Sequence, residues 1–284
     1  MIPVYEALQG KTDDHLKKGE YRNEDGLIYC KHCHSPKQVC VPLGDKIIRP
    51  RAMCKCEELE RDRKDTEWKA KQAREEVERN RYIGIQDPKL LEYTFANDKG
   101  YNANTMKIAR EYFEQWTEMK KNGIGMTLWG DVGTGKSFIA GCIANELLDQ
   151  GVRVLVTNFS RLLNRLTDLQ MGDRNSYIDS LNAYALLVID DLGIERNSEF
   201  AKEQCFGIVD GRYRSGLPMI VTTNLTFNEM TNPGDMWRKR IFDRVLERGT
   251  LICVNEQNIR EINKKNNMEQ VKALLLNGNQ QSRN

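Results

Sequence analysis

The chain has 284 residues, 39% hydrophobic and 30% charged, with 43 Lys and Arg against 41 Asp and Glu for a formal net charge of +2. That balance excludes a whole-molecule field for polyanions, so any contact with nucleic acid must rest on a local patch. With no secretory leader and no apolar run long enough to cross a bilayer, a cytoplasmic chain without a membrane partner is expected, and its eight cysteines point to metal or free thiols rather than disulfides.

Three regions follow one another by composition: 1–56, 57–82 and 83–284. The first is loop-rich and holds five cysteines. Cys30-x-x-Cys33 and Cys54-x-Cys56 form two close pairs twenty residues apart, a spacing suited to two knuckles closing on one tetrahedral Zn²⁺. His32, His34 and Cys40 are spare donors, and free thiols are the alternative. With all four positions filled by protein, such a site is structural, the staple a small segment needs in place of a core. Residues 57–82 alternate charge around a few apolar anchors (Leu59, Trp68, Ala70, Val77, Tyr82) and read as a solvent-laced helix.

From about residue 85 the pattern alternates strand and helix, which predicts a parallel sheet covered on both faces. Met126–Trp129 reads as a buried strand and leads into Gly130-Asp131-Val132-Gly133-Thr134-Gly135-Lys136-Ser137, a match to the GxxxxGKS/T pattern. Glycines there allow backbone N–H groups to turn onto phosphates, Lys136 adds a point charge at the β/γ-phosphates, and the Ser137 hydroxyl suits Mg²⁺. A helix over Phe138–Gln150 follows, with Gly151 at its C-terminal cap. This strand–loop–helix context identifies a nucleoside triphosphate site.

Further strands are predicted over Val152–Thr157, Ala185–Ile189, Met219–Thr222 and Leu251–Val254. Between the first two of these, Arg161 and Arg165 share one helical face. The apolar run 185–189 is expected centrally in the sheet, beside the phosphate-loop strand, delivering Asp190 and Asp191 to the ligand crevice. Asp190 suits Mg²⁺, and Asp191 suits polarising the attacking water. Asn224 closes the next strand within reach of a γ-phosphate or that water. Arg238 to Arg248 reads as a basic amphipathic helix with Ile241, Phe242 and Val245 inward, a solvated basic face being the plainer reading. Arg260 opens the final helix, where it could reach the nucleotide of its own subunit. Cys142, Cys205 and Cys253 fall in apolar patterns and read as core, and the polar stretch 277–284 reads as frayed.

WGDVGTGKS, LLVIDDLG followed by Glu195-Arg196, LPMIVTTNL and RIFDRVLERG, in this order, resemble the DnaC/DnaI group of helicase-loading AAA+ ATPases, the phage and prophage DnaC-like replication proteins most closely in layout. The resemblance is strong over residues 83–262 and looser before them. It implies a P-loop AAA+ core with a five-stranded parallel sheet and a reduced lid, preceded by a small zinc-binding domain that docks on the helicase and a charged helical linker. By the same resemblance Asp190 and Asp191 are the Walker B acids, Asn224 is sensor 1 and Arg260 is sensor 2. Arg244 matches the arginine finger acting on a neighbouring subunit's ATP, with Arg240 second; Arg161 and Arg165 would line a channel for single-stranded DNA. ATP, Mg²⁺ and Zn²⁺ are the implied cofactors; a DnaB-type helicase hexamer, single-stranded DNA and further copies of the chain are the implied partners. Asp191 departs from the broad class of such ATPases, most of which has Glu there. An IstB-type transposition helper, a non-hydrolysing nucleotide-gated adaptor and a zinc-dependent DNA-binding protein are the rival readings.

Overall fold

The structure, a computed structural model, describes residues 15–193 and 198–278, with side chains to residue 272. Glu195 and Arg196 of the quoted motif lie outside the described residues, as do 279–284 of the polar tail. The chain divides into two units, Met1–Arg74 and Glu75–Asn284.

In the first unit, β1 (Glu20–Arg22) pairs antiparallel with β2 (Ile28–Cys30), and β3 (Val41–Leu43) with β4 (Lys46–Ile48). Among the described residues, the buried apolar side chains here are few: Ile28, Cys30 and Cys54. Buried Glu20 is held by Arg51 at 2.7 Å and Lys37 at 3.1 Å. Burial alone would raise its carboxyl, but the Lys17 N–H and these two cations overcome it and hold the group at about 2. The charged run forms helix α1 (Lys55–Gly84), laced by exposed i,i+4 pairs such as Lys64–Glu60 and Arg63–Glu67. Exposed to water and screened by salt, such pairs add little to the stability of the helix.

The second unit takes the last part of α1 and two short 3-10 helices, Pro88–Glu92 and Phe95–Asn97, and continues with α2 (Ala103–Glu114) and α3 (Trp116–Asn122). Strand and helix then alternate through β5 (Gly125–Trp129), α4 (Lys136–Asp149), β6 (Val154–Asn158), α5 (Phe159–Asp168), α6 (Met171–Ser180), β7 (Leu186–Leu192), α7 (Glu199–Ser215) and β8 (Met219–Thr223). Helices α8 (Phe227–Thr231) and α9 (Met236–Arg248) precede β9 (Gly249–Cys253), and α10 (Ile259–Gly278) follows it. Helix α4 ends in paired bonds from Gly151 N to Leu148 O and Val152 N to Leu147 O, both 2.9 Å. Gly151 sits at φ +78, where the absence of a Cβ makes this cap inexpensive.

All five strands are parallel, in the order β6-β7-β8-β5-β9. The expectation that the acid-bearing strand lies beside the phosphate-loop strand is overturned. β8 stands between them, pairing Met126 with Ile220 on one side and Leu187 with Met219 on the other. The chain crosses from β7 to β8 and inserts β8 against β5, so the strand that leads to Asn224 lies between the acid-bearing strand and the loop's strand, which stand two interstrand spacings apart, about 9.6 Å. The predicted strands coincide with β5 to β9 to within two residues, except that β7 runs on through Asp190 and Asp191 to Leu192 across a register shift.

Alternation along these strands builds two cores. Leu186 and Val188 of β7 join Met126, Leu128 and Ile220 under α2 and α4. Leu187 and Ile189 face the other way, with Val221, under α5, α7 and α9. Cys142 and Cys205 are buried in these cores and Cys253 is half-buried. Arg212 of α7 is buried and donates to the carbonyls of Tyr184, Ala185 and Pro218, tying the entries of β7 and β8 together.

Candidate nucleotide-binding site and metal centre

The loop 130–137 turns between the end of β5 and the start of α4. Gly130 has φ +137, and a Cβ there would lie 2.5 Å from the Val254 carbonyl, so strand β9's exit presses directly on the loop. Thr134 Oγ1 donates to Asp131 O at 2.9 Å, and Lys136 Nζ donates to the carbonyls of Gly130 (2.8 Å) and Asp131 (2.7 Å). Lys136 is buried; burial lowers its ammonium, while Asp191, Asp131 and Asp190 pull it partly back. Three bonds fasten the loop to the root of α10. Ile259 N and Arg260 N both donate to Gly133 O, at 2.9 and 3.3 Å, and Asn258 Nδ2 donates to Val132 O at 3.2 Å.

A cavity of about 570 Å³ opens over this loop. It brings together Val132, Gly133, Gly135, Lys136 and Ser137 with Asp191, Asn224 and Arg260. Its size suits a small ligand of nucleotide dimensions, and it lies at the carboxyl ends of parallel strands. Its other wall comes from residues the motifs do not mark: Tyr93, Asn97, Tyr101, Asn102 and Met106. Tyr93 packs 5.2 Å from the Phe138 ring. Asn102 is buried and donates to Thr134 O at 2.6 Å, while its Oδ1 has no hydrogen-bond partner among the described residues. The wall's one sequence signal is its polar, aromatic composition just before a helix, too common to single it out.

The two acids are set by a buried threonine that sequence reasoning passed over. Thr222 Oγ1 donates to Asp190 Oδ1 at 2.6 Å and accepts from Asp191 N at 2.9 Å. One hydroxyl thus restrains a carboxylate and the backbone of its neighbour. Asp191 takes φ +58, outside strand geometry, which turns its side chain to the cavity. Asn224 Nδ2 stands 3.4 Å from Asp191 Oδ1. Burial, and then the negative Asp190, push the Asp191 carboxyl up; Lys136, Arg260 and Asn224 offset part of this. A raised carboxyl is a better proton acceptor, which fits a group that polarises water.

The remaining residues lie apart from this cavity. Arg244 is on α9, its Nε donating to Asp210 Oδ1 at 2.5 Å. Arg161 and Arg165 are exposed on α5, whose other face buries Phe159, Leu162, Leu163 and Leu166; Arg161 Nη1 reaches Gln86 Oε1 at 3.3 Å.

In the first unit the sulfurs of Cys30, Cys33, Cys54 and Cys56 all lie within 4.8 Å of one another. Cys56 Sγ is 3.6 Å from both Cys30 Sγ and Cys54 Sγ. Four sulfurs around a tetrahedral Zn²⁺ at about 2.3 Å stand about 3.8 Å apart, so the donor set fits this ion in chemistry and in size. The Ser35 hydroxyl lies 3.1 Å from Cys33 Sγ and accepts from Lys55 N at 3.0 Å, joining the thiol cluster to the first turn of α1. His32, His34 and Cys40 are outside the cluster.

With this geometry in view, known proteins supply a context. The sequence pattern of the IstB-like ATP binding protein family matches residues 59–267. The replicative helicase loader DnaC of Escherichia coli K12 is 32% identical over 145 residues, covering 50% of this chain and 57% of DnaC. The chain therefore spans little more than half the length of that relative. A crystal structure of DnaI superposes with a TM-score of 0.49 at 23% identity, over 61% of this chain and 96% of that one. One of a DNA replication initiation factor gives 0.50 at 22% identity, over 63% and 55%. The latter likeness concerns the fold alone.

Proposed function

The chain belongs to the IstB-like ATP binding protein family, with the AAA+ core described above, and from that premise we propose that it is an ATPase that loads a replicative helicase. In this reading it binds a DnaB-type hexamer and helps deposit it on single-stranded DNA. The observation that carries the ATPase is the convergence of Lys136, Asp191, Asn224 and Arg260 on one cavity. The identity with a helicase loader favours the replication role over the other members of the family.

Each residue then has a task. The loop's amides and Lys136 hold the phosphates. Mg²⁺, when bound, would supply further positive charge there, held by Ser137 and Asp190. Asp191 orients and deprotonates the attacking water, and Asn224 positions that water against the γ-phosphate. Arg260 senses the nucleotide of its own subunit, while Arg244 reaches the ATP of the next copy, so that nucleotide binding and self-association are one event. Arg161 and Arg165 contact DNA phosphates. The zinc-bearing first region docks on the helicase. A second reading, a transposition helper, keeps the same chemistry and changes the partner; a similarity to a putative insertion sequence ATP-binding protein of Sinorhizobium fredii, 29% identical over 144 residues, favours it.

Co-elution separates these. With ATP, the chain is expected to travel with a hexameric replicative helicase and to raise its retention on a labelled single strand. Lys136→Ala should weaken ATP binding about 100-fold and abolish both effects. Capture of a transposase in place of the helicase, under ATP and ADP alike, would overturn the replication role.

A further inference from the structure

Helix α9 carries Arg240, Arg244 and Arg248 one turn apart, and α7 sets two aromatic rings between them. Arg240 Cζ lies 4.4 Å from the centre of the Phe206 ring. Arg244 Cζ lies 4.7 Å from that ring and 5.7 Å from Tyr213, and Arg248 Cζ lies 5.0 Å from Tyr213. Of the three, and among the described residues, Arg244 is the one bonded to a carboxylate, through Nε at 2.5 Å to Asp210 Oδ1. Asp210 is itself nearly buried, its side chain 13% exposed, and its second oxygen takes Arg214 Nε at 2.8 Å.

This arrangement divides the donors of Arg244. Its inner Nε is spent on Asp210, the faces of its guanidinium are flanked by rings, and Nη1 makes a 3.3 Å contact with the Arg240 carbonyl. Among the described residues, the terminal Nη2 edge has no hydrogen-bond partner. A guanidinium gripping phosphate needs its fork of terminal donors, and an arginine already fixed at its Nε has lost its rotamer freedom during folding rather than on contact. Arg214 shares Asp210, so the carboxylate does not cancel the positive field of the α9 arginines.

We propose that Asp210 is a positioning residue, holding Arg244 by Nε between Phe206 and Tyr213 so that its outer edge meets a phosphate bound on a neighbouring copy. This rests on the reading of Arg244 as a group acting in trans. Asp210→Asn, which keeps the side chain's shape but weakens its hold on Arg244, distinguishes positioning from stability, because the effect must follow the chain that donates the arginine.

Mixed assemblies test it. Lys136→Ala chains cannot bind ATP but can donate Arg244; Arg244→Ala chains bind ATP but cannot donate. Each alone is inactive, and the mixture is expected to hydrolyse ATP. Adding Asp210→Asn to the Lys136→Ala chain should lower the mixture's turnover by about 10- to 100-fold, the scale of a misaligned catalytic group. Adding it to the Arg244→Ala chain should change turnover less than about twofold, because the arginine that Asp210 serves is absent there. Equal loss in both placements, or loss in neither, overturns the role of Asp210. An inactive starting mixture fells the trans reading itself and the inference with it. Should Asp210→Asn fail to fold, as a lowered melting temperature would reveal, Phe206→Leu in the same two placements gives the same contrast and is judged in the same way.

Discussion

Thr222→Val isolates the hydroxyl that sets the two acids. Valine keeps nearly the same shape, so the fully buried site stays filled and the loss is polar. The variant removes the 2.6 Å bond to Asp190 and strands the N–H of Asp191, which now donates at 2.9 Å. A hydrogen bond to a charged group contributes about 1.5–3 kcal/mol, and a buried unpaired donor costs about 1–3 kcal/mol. Asp190 is half-buried and Asp191 is exposed at the cavity, so water recovers part of both terms, leaving a net loss of about 2–3 kcal/mol. For a folding unit of this size that corresponds to a fall of about 5–10 °C in melting temperature. Turnover should fall at least about tenfold, because both carboxylates lose their alignment. Thr222→Ser retains the hydroxyl and is expected to keep turnover within about twofold, losing only the contacts of one methyl. Calorimetric melting and a phosphate-release assay read the two effects. A valine variant that melts within about 1 °C of the parent and hydrolyses ATP at the parental rate would refute the assignment of the hydroxyl as the clamp.

Two further outcomes follow. Burial and Asp190 raise the Asp191 carboxyl in the folded protein, so its ionised form opposes folding: the penalty is absent below the ordinary aspartate value of 3.8 and grows as pH rises through the raised folded value. Asp191→Asn should therefore melt higher than the parent at neutral pH, lose that advantage in acid, and lack turnover; a lower melting temperature at neutral pH would contradict this. In the first unit, metal analysis should find one zinc per chain. A chelator or Cys54→Ser should unfold the region around β1 to β4, read by loss of protease resistance before residue 74, while ATP affinity, measured by calorimetry, stays unchanged.

Local chemistry made much of this legible in the residues alone. The loop 130–137 declares itself because glycine spacing, a lysine and a following helix are required together, and the apolar runs of β5 to β8 are strong because both their faces are buried. The cysteine pairs were readable for the same reason: one small ion demands four like donors. What did not show was long-range. The order of strands in a parallel sheet is chosen by crossover connections, and no residue in 185–192 reveals that β8 will intervene before β5. Asp191 looks like any strand residue until the register shift beside Leu192 forces its positive φ. Thr222 and Asp210 are ordinary residues whose meaning comes only from partners 32 and 34 positions away in the chain. Tyr93 and Asn102 belong to a wall without a motif.

The tether at Gly133 has a mechanical corollary. Twenty residues of helix leave that anchor as a rigid spoke about 30 Å long, and a swing of about 10° at its base carries the tip through about 5 Å. Sub-ångström adjustments in the glycine turn are thereby geared up to distances that a docked macromolecule can register.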